Sequence, residues 1–339
     1  MRTAYLLAAL PLTCLFAGNA FAQACTKPLA LSNELQMESS NGGPSTIPVK
    51  LNGIDQKLTL ATAGTTTQIS QDTAKTLKLE TRRSDITLPD DVGNASRVDE
   101  VTIADFSMGR LHGTNVKWPI SPAGGFGGRG GGDDAAGKFS LNYMRVYDVD
   151  ADFGNDKLRF FNQDHCPGGV MYWKAPGVAG VVPITIDNGR VTVPVMVNGK
   201  AIKGIIDTAA RSSSVRRVVA ERVLGVELGG PKAPLAPGGF GGQSYTLTAD
   251  TLTFGPLKLE NIAFNVRPDI NADGGKDPAQ AQRLKKAGID YEMASPEVVI
   301  GMDTLRKLHI YLAFGENKLY VTQSDSTMAA AATTPAKAP

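Results

Sequence analysis

The residue of this chain best placed to do chemistry is Asp207. It closes an apolar run in "KGIIDTAARSSSV" (203–215) and is followed by Thr208, Ala209 and Ala210. A carboxylate at the end of a buried strand is costly to keep charged. Such a placement points to acid–base work and to a partner group that shares the cost. Other chemistries find little support. The three histidines, His112, His165 and His309, share no metal-ligand spacing and read as surface or loop residues. No Ser-His-Asp order or reactive-cysteine context stands out. The segment "GDDAAGK" (132–138) is a near miss for a phosphate-binding loop, but Phe139 stands where a Ser or Thr would hold magnesium. It reads instead as the end of a glycine-rich loop, "PAGGFGGRGGGDDAAGK" (122–138).

The elements that must position Asp207 are written twice. "IPVKLNGIDQKLTLATAGTTT" (47–67) aligns without a gap on "VPVMVNGKAIKGIIDTAARSS" (193–213), at an offset of 146. The same offset pairs "FSMGRLHGTNVKWPI" (106–120) with "LTFGPLKLENIAFNV" (252–266). After a longer insertion the offset becomes 161, and "SLNYMRVYDVDADFGNDKLRFF" (140–161) matches "GMDTLRKLHIYLAFGENKLYVT" (301–322). A period this long means two domain-sized copies and not a solenoid. Within each copy, short Val/Ile/Thr-rich runs bounded by Asn-Gly and Phe-Gly turns predict strands and hairpins. The spacing of "VRRVVAERVLGV" (215–226) predicts a helix, and a short helix closes each copy, with Asn142 and Asp303 as its N-caps.

Composition bounds the rest. The chain has 339 residues, 42% hydrophobic and 20% charged with a net charge of +2, which points to no nucleic-acid or membrane partner. Arg2, an apolar run and Ala20-Phe21-Ala22 before Gln23 predict a signal peptide over 1–22 and an exported, periplasmic or secreted protein. The run is short for a membrane span and broken by Pro11 and Gly18, and the residues before Cys14 do not suit a lipoprotein site. Cleavage leaves Cys25 and Cys166, most simply a disulfide in an oxidising compartment, with two unpaired thiols as the alternative.

The strand ending in Asp-Thr-Ala-Ala, a later glycine-rich hairpin and the closing "VVIGMDTL" resemble the retropepsin-like aspartic proteases. The two-copy arrangement resembles the pepsin-type form of that fold. The resemblance covers about 34–162 and 181–322. It implies a mostly β, two-lobed acid-protease fold in which each copy offers one aspartate at a shared seam. Two carboxylates about 3 Å apart share a proton, so one acts as base and the other as acid. Carried over, Asp207 and Thr208 match the catalytic pair, whereas the facing position holds Ala61, beside Thr62. The two threonines imply hydroxyls bonded across the seam. "PGGFGGQSY" (237–245) falls where the family has its flap, so Gly238, Gly239, Phe240, Gly241 and Gly242 are expected to close over substrate. Two departures stand out. Ala63 and Ala209 add a methyl where the family has glycine, and Arg211 replaces an acid of retroviral members.

The organisation read from the sequence is therefore a signal peptide (1–22), an N-terminal segment (23–33), a first repeat lacking the acid (34–162), a linker (163–180), a second repeat (181–322) and a disordered tail (323–339). The function expected is an exported pseudoprotease or weak peptidase with a peptide-binding cleft, acting without cofactor or metal as a monomeric pseudo-dimer. Two alternatives stand beside it. One is an active endopeptidase that recruits a second acid or a second molecule; the other is an envelope interaction module.

Overall fold

The computed structural model describes residues 25–39, 42–89, 95–121, 135–175, 177–187, 189–236, 244–267 and 297–324. The expected signal segment (1–22), the expected flap residues Gly238, Gly239, Phe240, Gly241 and Gly242, most of the first glycine tract and the tail from 325 onward lie outside the described residues.

Alternating Val, Ile and Leu build one mostly β sheet in each repeat. In the first, the strand order is Gln68–Ile69, Gly137–Ser140, Ile54–Ala61, Ser45–Leu51, Ala95–Met108 and Glu80–Pro89. In the second it is Thr185–Asp187, Arg190–Val197, Lys200–Ile206, Val298–Ile300, Ser214–Arg216, Leu257–Arg267 and Tyr245–Phe254. The same hairpin opens both. Asn52 and Gly53 turn at φ 51° and 79°, and Asn198 and Gly199 at 48° and 74°. Two consecutive positive φ values are what the Asn-Gly hairpin turn requires. Each Asn side chain then accepts from a backbone N–H on a neighbouring strand, that of Asp105 and that of Thr251, both at 3.0 Å.

A third sheet joins the repeats. Its order is Leu31–Gln36, Lys157–Phe161, Asp148–Asp152, Leu308–Ala313, Lys318–Gln323 and Gly180–Pro183. The first three strands come from one copy and the last three from the other, so the order reads alike from either end. The inner faces of all three sheets merge into one continuous apolar core, with Leu58, Leu60, Phe139 and Phe160 in one lobe and Val193, Ile206, Phe264 and Ile300 in the other. Ordered structure runs on to Gln323, and Ser324 is buried, so the fold takes in the first two residues assigned to the tail.

The outer face of the joining sheet corrects the sequence reading for His309, which lies buried on a strand, and it covers His165 within its loop. Asp148, Asp150 and Asp152 alternate along one strand and all are buried. His165 Nε2 meets Asp148 at 2.7 Å and its Nδ1 faces the Cys166 carbonyl at 3.1 Å. His309 Nε2 meets Asp150 at 2.5 Å, and Arg159 donates to the same carboxylate at 3.0 Å. Of the three histidines, His112 alone is exposed. Phe161, Val170, Tyr311 and Tyr320 form a small second core here, with Leu29, Met171 and Trp173 packed against it. The segment after Phe161 thus covers a polar ladder, and the Cys25–Cys166 disulfide fastens the N-terminal arm to that cover.

The helices also differ from expectation. The run 215–226 begins as strand (Ser214–Arg216), and only a short helical stretch follows, widened to a π turn over Val219–Val223. The closing helices are Leu141–Met144 and Met302–Leu305, capped by Ser140 and Gly301. Asn142 and Asp303 therefore sit inside the first turn and are not N-caps. Their side chains reach back instead. Asn142 accepts from the backbone N–H and the hydroxyl of Thr67, both at 2.9 Å. Asp303 accepts from the N–H and the hydroxyl of Ser213 at 2.8 and 2.6 Å. Each ties the turn after the aspartate-type strand to the closing helix of its own repeat.

Candidate active site

The strand Lys200–Ile206 ends at Asp207, and Ile54–Ala61 ends at Thr62. Four hydrogen bonds lace the two ends together. The Thr62 hydroxyl donates to the Ile206 carbonyl at 2.7 Å, and the Thr208 hydroxyl donates to the Leu60 carbonyl at 2.6 Å. The Thr62 N–H donates to the Thr208 hydroxyl at 3.1 Å, and the Thr208 N–H donates to the Thr62 hydroxyl at 3.2 Å. Each hydroxyl thus gives once and receives once, and both side chains are buried. The pattern is twofold to within 0.1 Å between matched bonds. Ala61 and Asp207 are the residues directly before the two laced threonines. A fifth bond, from the Val191 N–H to the Thr62 carbonyl at 3.2 Å, brings the strand that begins at Arg190 onto the first repeat.

Asp207 is half-buried. Its backbone N–H donates to the Ile300 carbonyl at 3.0 Å, and its carboxylate accepts from the Ala209 N–H at 2.9 Å. Burial pushes its pKa above the usual carboxylate range, against the Ala209 and Ala210 amides and the positive charges of Lys138 and Arg190. Arg190 feels the reverse, since burial lowers its pKa while Asp207 holds it up. Ala61, the residue before Thr62, is buried.

Lys138 and Arg190 were not singled out in the sequence. Lys138 lies on Gly137–Ser140, which pairs in parallel with Ile54–Ala61, with Thr59 opposite Lys138 and Ala61 opposite Ser140. Phe139 points into the core, so Lys138 points to the other side of the sheet, as strand alternation demands. The offset of 161 puts Lys138 on Val299 of the second repeat, a lysine in place of an apolar strand residue. That mismatch was the available signal. Ala209 is half-buried beside Asp207, and Arg211 is exposed on the turn below it. Among the described residues no group of three or more His, Cys, Asp or Glu is disposed to hold a metal ion.

Two comparisons found similar proteins. Residues 193–304 match the family model described as aspartyl protease. The matched span includes Asp207, Thr208 and the closing strand and helix of the second repeat. The crystal structure of an aspartic proteinase from Irpex lacteus superposes with a TM-score of 0.49 at 12% identity, over 87% of this chain and 98% of that one. No curated protein matches the chain.

Proposed function

We propose, from the premise that this chain is a retropepsin-like, pepsin-type aspartic-protease relative, that it is an exported peptide-binding protein without the shared-proton reaction of that family. The observation supporting this reading is the threonine lacing between Thr62 and Thr208, the residues that directly follow Ala61 and Asp207. A groove along the seam, floored by Ala61 and Asp207, would accept an extended peptide. A single carboxylate can serve as base or as acid but cannot hold both roles at one moment. Losing one proton-transfer group costs about 10²–10⁴-fold in rate. The export half of the reading rests on the leader sequence at 1–22 and is supported by the disulfide, which suits an oxidising compartment.

The test is a peptide library incubated with the mature protein. Calorimetry should find bound peptides, and mass spectrometry should find no cleavage with an acid optimum. Acid-optimum cleavage that disappears in Asp207→Asn would show instead that a second acid completes the pair. An absence of peptide binding at any pH would leave the envelope-module reading in its place.

A further inference from the structure

The missing carboxylate has not left the seam without a second ionisable group. Lys138 enters from the closing strand of the first repeat, two residues before Ser140, which lies opposite Ala61. Its neighbour Phe139 is in the core, so the lysine side chain leaves the sheet on the face away from that core. Its counterpart in the second repeat, Val299, is buried but contributes nothing to that apolar core, in keeping with a position facing the seam. The first repeat therefore presents a cation on the element from which the second presents a hydrocarbon. Lys138 and Arg190 act on Asp207 as positive charges that favour its ionised form.

We propose that Lys138 is a catalytic residue: together with Asp207 it forms an acid–cation pair that hydrolyses peptide bonds slowly near neutral pH. This rests on the groove reading above. The Asp207 carboxylate removes a proton from water as the water oxygen bonds to the scissile carbonyl carbon. The carbonyl π pair moves onto oxygen, and the Lys138 ammonium holds the resulting oxyanion. When the carbonyl re-forms, the carbon–nitrogen bond breaks and its electron pair takes the proton held by Asp207. A carboxylic acid and an amine leave, Asp207 is again a carboxylate, and Lys138 has changed nothing but its hydrogen bond. Asp207 thus does base and acid work in sequence, while the lysine supplies the polarisation that a protonated aspartic acid supplies elsewhere.

The pH dependence separates this pair from a carboxylate dyad. The charged and donor groups that act most strongly on Asp207 are Lys138, Arg190 and the amides of Ala209 and Ala210. Activity should rise as Asp207 ionises, so it should be low in acid and high at neutral pH. A dyad that shares a proton is instead lost as its second carboxylate ionises.

The experiment is turnover of library peptides that bind, measured from pH 4 to 9 by mass spectrometry on the mature, disulfide-bonded protein. Wild type should cleave with a neutral optimum, and Asp207→Asn should abolish cleavage. Lys138→Met should lower kcat by about 10²–10³-fold with KM little changed. Lys138→Arg should retain a measurable part of the rate. Circular dichroism and melting checks accompany each variant, and the wild-type pH profile decides the matter if Lys138→Met does not fold. Bound peptides that stay intact at every pH, an acid optimum, or undiminished kcat in Lys138→Met would each overturn the proposal and leave peptide binding standing. Peptides that fail to bind overturn both.

Discussion

The two repeats share a scaffold and part company at the point where they touch. Both turn on Asn-Gly, both thread a threonine under the other, and both tie the following turn to a closing helix through one side chain, Asn142 or Asp303. The differences are paired. Gly64 of the first repeat lies against Ser140, so closely that an added Cβ would fall 2.9 Å from the serine oxygen. In the second repeat the glycine has changed sides: Ala210 stands at the place of Gly64, and Gly301 at the place of Ser140. A Cβ on Gly301 would fall 2.5 Å from the Ser212 backbone. The space each glycine keeps is different: Gly64 makes room for Ser140, and Gly301 for the Ser212 backbone. The acid and the cation follow no such exchange, because Ala61 aligns on Asp207 while Lys138 aligns on Val299. Packing has been kept and chemistry has been redistributed.

Opening the disulfide should produce the largest change, since the second repeat has no counterpart to it. Cys25 and Cys166 are 141 residues apart, and the loop-entropy model gives about 5 kcal/mol as an upper figure for such a closure. Urea melts of Cys25→Ser/Cys166→Ser should show a large fall in stability. An unchanged midpoint would mean that the cover over the joining sheet is held by its other contacts alone.

The threonines test the twofold directly. Thr62→Val and Thr208→Val each leave a buried carbonyl and a buried N–H without a partner, at a cost of about 2–4 kcal/mol. Near-equal costs would support equivalence of the two halves. A large gap between them would break it.

Ala61→Asp should restore the missing symmetry. A second buried carboxylate next to Asp207 should lower stability at neutral pH by about 1–3 kcal/mol, and less in acid, where one proton can be shared. Paired titration, followed by carboxyl chemical shifts, should split into two separated steps. Independent, ordinary titration of both acids would show that the strand ends do not meet as described. New cleavage with an acid optimum is the functional expectation for this variant.

The smallest effect belongs to His165, again a feature of one side only. Burial opposes its charge, but hydrogen bonds to Asp148 and to the Cys166 carbonyl, with the charges of Asp148 and Glu316, hold its pKa above the usual 6.5. The folded-state value exceeds the unfolded one, so its contribution is complete below about pH 6.5 and is lost as pH rises through the raised value. Melting temperature should drop slightly across that window, on the order of 2 °C for each kcal/mol lost. His165→Gln should flatten the drop. A wild-type curve that is already flat would show that His165 carries no charge in the fold.

Much of this was legible in the sequence because it is local or repeated. The Asn-Gly turns, the position of Ala61 on Asp207 and the threonine pair follow from one ungapped alignment. Cys25 and Cys166 are the natural pair once Cys14 is assigned to the leader expected from the sequence. What escaped depends on contacts between distant segments. Asp148, Asp150 and Asp152 alternate like the exposed face of a strand, and nothing local says that the segment carrying His165 and Trp173 will cover them. Asn142 and Asp303 have the right chemistry for caps, but the helix begins before them and their oxygens are taken by the turn at Thr67 or Ser213. Lys138 was visible only as an odd residue in an apolar strand, and only the sheet register gives it a direction.

Braiding the two copies into one polypeptide through a shared sheet has a consequence for direction. A seam made from two identical chains presents the same groups to a ligand turned end for end. Here Lys138 comes from one side and Asp207 from the other, and rotation by half a turn exchanges unlike neighbours. A peptide lying across them would meet different surroundings at its amino and carboxyl ends, so its polarity could be read without any recognition of side chains.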